Sequence, residues 1–123
     1  MALEDLQTGY SIERKDSEKK VIIHFEGFTK PEMVESFSKD YTSLKKSVDV
    51  KNTVLVLDGK TLKAFPRELE DNLMKMYKDY TDFKKIYIMK PEQIVTKMQI
   101  QRVLKSANIE NHFEFIDSIN DVK

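Results

Sequence analysis

Val54-Leu55-Val56-Leu57 is an unbroken apolar run that ends at Asp58-Gly59. A strand with one wet face alternates apolar and polar side chains. A continuous run of this length therefore predicts a strand covered on both faces, the inner strand of a parallel or mixed α/β sheet. The wider stretch 53–69, TVLVLDGKTLKAFPREL, extends the pattern. Asp58-Gly59 predicts a turn that closes the strand, and Pro66 suits the first turn of a helix. Glu68, Glu70 and Asp71 then lie where the positive end of the helix dipole favours acids. In such sheets, ligands and partners meet the loops at the carboxyl ends of strands, so loop 58–65 is the first place to look for function.

The flanking sequence supplies the rest of a sheet. Residues 10–14 alternate Tyr10 and Ile12 with Ser11 and Glu13, and 20–26 (KVIIHFE) read as a second strand after a polar turn at 15–19. Together they predict an antiparallel hairpin at or near a sheet edge. Thr29 with Glu32 predicts a capping box. Behind it Val34, Phe37, Tyr41, Leu44 and Val48 recur at spacings of three and four, a helix ending near Val48. A second helix from Pro66 to about Phe83 carries Leu69, Leu73, Met76, Tyr77 and Tyr80 on one face, and Ile86-Tyr87-Ile88-Met89 is strand-like up to Pro91. From 91 to 107 the apolar stripe changes side. Thr96 with Gln99 predicts a restart by a second capping box, leaving Ile94, Val95 and Met98 free to cover a sheet edge or meet a partner. Asn108 suits a left-handed cap with Ile109 folding back on it, 112–116 (HFEFI) a last strand, and 117–122 a terminal helical turn. The expectation is one α/β domain over 10–123 after a short leader, 1–9. Its sheet is five-stranded, mixed and mostly parallel, with an N-terminal antiparallel hairpin and three to four helices.

Composition removes several classes of function. The chain has 123 residues and no cysteine, which excludes a disulfide framework, a thiolate zinc site and a cysteine nucleophile. Lys plus Arg and Asp plus Glu are 21 each, without the basic excess of a nucleic-acid binder. No apolar run approaches the roughly 20 residues needed to cross a bilayer, and the first residues lack a signal-peptide pattern. A cytoplasmic protein with no nucleic acid and no integral membrane association is expected.

Two stretches resemble a known family. Residues 53–69 are similar to the apolar strand, Asp, short loop and helix start of the STAS domain, the small α/β fold of anti-anti-sigma factors and of the cytoplasmic tails of sulfate transporters. Residues 103–122, VLKSANIENHFEFIDSINDV, resemble its closing pattern of helix end, small-residue cap, Phe, apolar strand, Asp-Ser and acidic helix. The resemblance implies a STAS-like fold and a regulatory role in protein–protein interaction. Regulatory members carry a phosphorylatable Ser or Thr where the helix after the central strand opens. Here that place holds Phe65-Pro66-Arg67-Glu68, so the phospho-switch is expected to be missing. Glu68 is either a fixed imitation of phosphate or, more simply, an ordinary first-turn acid.

Other motifs fall short of chemistry. Gly59-Lys60-Thr61 resembles the end of a phosphate-binding P-loop, but the glycine required five residues earlier is Val54. His24 and His112 have only scattered carboxylates nearby in sequence, so a metal site is not expected. No strained Gly-x-Ser-x-Gly elbow surrounds a serine. No catalytic residue, metal ligand or cofactor site is read. Lys97, Arg102 and Lys105 form either a basic strip or an ordinary solvated face. The leading expectation is a non-catalytic module that binds a protein partner through Asp58, Lys60, Thr61, Lys63, Phe65, Arg67 and Glu68. Phe65 acts there as an anchor unless it closes the core instead. The alternatives are a carrier of a small anion, nucleotide or lipid, and a self-assembling subunit using an exposed strand or Ile94, Val95 and Met98.

Overall fold

A computed structural model describes residues 9–27 and 30–122. Five strands lie in the order of the chain: β1 (Tyr10–Lys15), β2 (Lys20–Gly27), β3 (Val54–Leu62), β4 (Lys85–Met89) and β5 (Phe113–Ile116). β1 pairs antiparallel with β2, and every later pairing is parallel. Three α-helices make the connections between parallel strands: α1 (Pro31–Ser47), α2 (Glu70–Tyr80) and α3 (Ile94–Ser106). The expected α/β architecture with an N-terminal hairpin is therefore present. The 1–8 part of the expected leader lies outside the described residues, whereas Gly9 accepts the Glu26 N–H in the sheet.

Sequential strand order has a consequence for layering. Crossovers that each step one strand in the same direction, with the same hand, place every helix on one face of the sheet. Phe37, Tyr41 and Leu44 of α1, Leu73, Tyr77 and Tyr80 of α2, and Ile100, Val103 and Leu104 of α3 all join one cluster with Val21, Ile23, Leu55, Leu57, Ile86, Ile88 and Phe113. The alternate strand positions Ile22, Val56, Tyr87, Met89 and Ile116 form a second cluster on the opposite face, with Val122 packed against it. Within β3, Leu55 and Val56 are both 0% exposed although they point to opposite faces. The apolar run does mark the middle strand of five, covered on both sides.

Several boundaries differ from expectation. Asp58-Gly59 does not end β3. Register jumps from His24↔Asp58 to Glu26↔Thr61, so β3 holds one extra residue in a β-bulge and continues to Leu62. The Asp58 carboxylate accepts the Lys60 N–H at 3.3 Å, the local bond that makes Asp-Gly look like a turn, here absorbed within a strand. Pro66 is extended and precedes a 3₁₀ turn, Arg67–Leu69, so α2 starts only at Glu70 and ends at Tyr80. The α1 N-cap is Lys30, without a side-chain cap, and Glu32 falls one position short of a box partner. Thr29 lies outside the described residues. α3 runs without a restart from Ile94. Thr96 is buried with no partner for its hydroxyl among the described residues, and no Thr96–Gln99 box forms. Burial of Thr96 against the core outweighs its capping tendency, and Gln99 is occupied elsewhere. The C-terminal reading holds: Asn108 has φ 59°, Ile109 N–H bonds the Leu104 carbonyl, and Ser118 with Asp121 caps the 3₁₀ turn Ile119–Asp121.

Candidate functional site

The carboxyl ends of the parallel strands gather three segments: the bulged end of β3, the 63–66 loop, and the first turn of α3. Lys63 N–H bonds the Gly27 carbonyl, extending the β2–β3 pairing past Leu62, and Glu92 N–H bonds the Lys60 carbonyl at 2.9 Å. The Gln99 side-chain amide closes the arrangement. Its Oε1 accepts the Phe65 N–H, and its Nε2 donates to the Phe65 carbonyl, both at 3.1 Å. One amide thus satisfies both backbone groups of a loop residue, as a neighbouring strand would. Arg102 of α3 bonds Glu70 at the start of α2 at 2.6 Å, tying the two helices together beside the loop.

The seven residues expected to bind a partner do not share one surface. Lys60, Thr61, Lys63, Arg67 and Glu68 are exposed at this end of the molecule. Phe65 is only 4% exposed and belongs to the core cluster, so it closes the interior and is no anchor for a partner. Glu68 sits in the 3₁₀ turn ahead of α2. Asp58 turns to the face of the sheet that carries no α-helix and engages His24.

An apolar patch lies at the start of α3. Ile94, Val95 and Met98 are 74%, 61% and 61% exposed, the most exposed large apolar side chains among the described residues. All three occupy the first turns of α3, and the Gln99 bridge fixes that segment to the 63–66 loop. α3 contains Lys97, Arg102 and Lys105 and no acidic residue. Lys97 lies over the Phe115 ring at 5.9 Å, which keeps its charge at the β5 edge.

Sequence reasoning missed a second constellation. On the face without α-helices, His24 Nδ1 is 2.8 Å from an Asp58 oxygen and Nε2 is 3.1 Å from Glu13 Oε1. Three strands thus contribute to one row of acid, imidazole and acid. Burial pulls the His24 pKa down, but hydrogen bonds to Asp58 and Glu13 outweigh it, and the imidazole is raised above its ordinary value. Glu13 is held below the usual carboxylate range, chiefly by its bond to His24. Alternation puts these side chains on one face, but only the register of three strands makes them neighbours, and residue order does not encode register. His112 is exposed in the 3₁₀ turn Glu110–His112. No cluster of three metal-ligating side chains occurs among the described residues.

An apolar void of about 30 Å³ beside the 63–66 loop is lined by Phe25, Phe37, Leu62, Phe65, Met76 and Tyr80, among others. A larger open groove follows the outer side of α1 and α2, lined by Ser38, Thr42, Ser43 and Asn72. Tyr41, at its inner end, has a buried hydroxyl with no hydrogen-bond partner among the described residues. Burial raises the Tyr41 pKa, and the charge of the nearby Asp79 carboxylate adds to the shift. No helix of the described residues is long and apolar enough to cross a membrane. No protein-family model matches the sequence, and no curated protein matches it significantly.

Proposed function

We propose that this chain is a non-catalytic, cytoplasmic protein-interaction module, regulatory in role, that docks its partner where the parallel strands end. The observation that carries the reading is the cluster of Ile94, Val95 and Met98, exposed on a helix that the Gln99–Phe65 hydrogen bonds anchor to the 63–66 loop. Large apolar side chains grouped on a surface and rimmed by polar groups mark interaction sites more often than scattered ones do. The resemblance to STAS domains points the same way, without a hydroxyl at the helix entrance to act as a switch. The Glu13–His24–Asp58 row does not argue for catalysis. Both ring nitrogens are held by carboxylates, whereas a general base needs one of them turned toward a nucleophile or substrate. The carrier reading gains little from the apolar void of about 30 Å³, since pockets for small ligands span roughly 300–1,000 Å³, and the groove of about 770 Å³ along α1 and α2 lies open to solvent.

The test is affinity capture from the native host with wild type beside a Lys63→Glu, Met98→Glu double variant shown to be folded by circular dichroism. The reading requires at least one partner that wild type retains and the variant releases. Identical partner sets, or reproducible turnover by the purified chain, would overturn it.

A further inference from the structure

We propose that His24 is a proton-dependent clasp on the edge strand β1. As imidazolium it ties Glu13 to Asp58 across β2; on losing its proton it keeps Asp58 and lets Glu13 go. The clasp lies on the helix-free face of the sheet and does not depend on where a partner docks.

Each ring nitrogen of His24 faces a carboxylate, Nδ1 at 2.8 Å from Asp58 and Nε2 at 3.1 Å from Glu13. An ionised carboxylate only accepts, so both contacts are hydrogen bonds only while both nitrogens carry protons. A neutral imidazole has a single N–H. Its other nitrogen then points a lone pair at a carboxylate, and that contact turns from attraction to repulsion. The raised imidazole and the lowered Glu13 agree with this coupling. Asp58 is the partner retained. Its contact is the shorter one, its side chain is 23% exposed against 48% for Glu13, and its other oxygen accepts the Lys60 N–H in the β3 bulge. Glu13 has an alternative in Lys15, whose Nζ is 3.7 Å away on the same strand.

The other charged groups of this face and its rim are engaged elsewhere. Lys20 pairs with Glu18, Lys85 with Glu114 and Lys90 with Asp117, while Asp121 accepts the N–H groups of Asp117 and Ser118. Glu26 on β2 and Lys60 on β3 lie past the register jump, and the charges that act on the ring are those of Asp58 and Glu13. On the helix side, β1 is held by α1: the Tyr10 hydroxyl bonds Ser36 and Asp40, and Arg14 bonds Ser47. Those ties contain no imidazole. The clasp is therefore the part of the β1 attachment that responds as pH passes through the neutral range, and losing the proton loosens one face of the strand while the other stays tied.

The experiment follows the ring and the strand together by NMR of the full chain, wild type beside Glu13→Gln. Ring-nitrogen shifts should show both nitrogens protonated at about pH 5.5 and the remaining proton on Nδ1 at about pH 9. Over that range the exchange protection of the β1 amides, corrected for intrinsic rates and referred to Leu55 and Val56, should fall about two- to fivefold, the scale of a half-exposed ion pair. The amide introduced by Glu13→Gln accepts from the imidazolium and donates to the neutral ring, so this variant should keep its β1 protection at both pH values. A proton retained on Nε2 in wild type at the higher pH would overturn the proposal, and that reading needs no variant to fold. So would β1 protection that ignores pH in wild type, or that falls equally in Glu13→Gln.

Discussion

Replacing Gln99 by alanine tests how the strand-end surface is held together. The side chain makes two hydrogen bonds of 3.1 Å to the backbone of Phe65, in a part-buried setting. A typical intramolecular hydrogen bond contributes about 0.5–1.5 kcal/mol net, and a buried group left unsatisfied costs about 1–3 kcal/mol. Water can reach part of this site once the amide is gone, so the two bonds together are worth about 2 kcal/mol. Urea denaturation should show that loss as a lower midpoint at unchanged slope, because the surface exposed on unfolding stays the same. Hydrogen exchange should show the Phe65 amide losing more protection than the Leu55 and Val56 amides, whose loss reports the global change alone. Gln99→Glu gives an internal control. An ionised carboxylate still accepts from Phe65 N–H but opposes the Phe65 carbonyl, whereas the protonated form donates to it. The introduced carboxyl therefore has a raised pKa in the folded state. Its stabilising contribution is complete below the unfolded value of about 4.3 and is lost as pH rises through the folded one. A Gln99→Ala cost below about 0.5 kcal/mol, or a Gln99→Glu variant without this pH dependence, would refute the bridging role.

The His24 row predicts a pH effect of defined sign. The raised imidazole contributes stability that is full below its unfolded value of about 6.5 and fades as pH climbs through the folded value. Glu13, lowered, contributes above its own unfolded value and loses that as pH falls through the folded one, so the row is strongest in mildly acidic solution. The half-exposed setting limits the His24 effect to about 1 kcal/mol or less, and urea midpoints across pH 5–8.5 should flatten in His24→Gln. Tyr41→Phe deletes a buried hydroxyl that has no hydrogen-bond partner among the described residues, so stability should be unchanged or rise by up to about 1 kcal/mol; a clear loss would reveal a hydrogen bond on that oxygen, to Asp79 or to an ordered water. Gly59→Ala should be tolerated within about 0.5 kcal/mol, because its added carbon meets Leu62 and Met89 only at ordinary contact distance. Gly27→Ala, at φ +73°, should cost about 1 kcal/mol, and thermal melts of the two would separate them.

What was legible in the residues is what depends on local pattern. The middle strand showed itself because a continuous apolar run has no solvent-compatible alternative, and the Asn108 cap because few residues tolerate a left-handed backbone. Predictions failed where local chemistry had two tertiary outcomes. Asp58-Gly59 carries the same aspartate-to-backbone bond whether it turns the chain or bulges a strand, and pairing with β2 and β4 decided for the strand. Thr96 and Gln99 have the spacing of a capping box, but Thr96 faces the core and Gln99 has a better use 34 residues upstream. Phe65 shows the same ambiguity: a loop aromatic before proline fits either an anchor or a plug, and only the apolar wall of Phe25, Leu62 and Tyr80 shows which. The Gln99 bridge and the His24 row join residues far apart in the chain, the first through the packing of α3 on the loop and the second through strand register, and no local pattern reports either.

The exposed patch on α3 is not an accident of helix placement. At 3.6 residues per turn, neighbouring positions differ by about 100°, so Met98 lies about 160° from Ile100 and Ile94 about 120° from it. Ile100, Val103 and Leu104 must face the sheet, and together they set the rotation of the helix. Turning α3 to hide Ile94 and Met98 would expose three fully buried side chains, each worth about 1.5–3 kcal/mol, and would break the Gln99 bridge. The rotation is therefore fixed, and turning α3 cannot cover the patch. Covering it from outside costs nothing in the core, since the loop and helix that present it are already locked together. A molecule that docked there would not first have to order the loop and helix that present the patch.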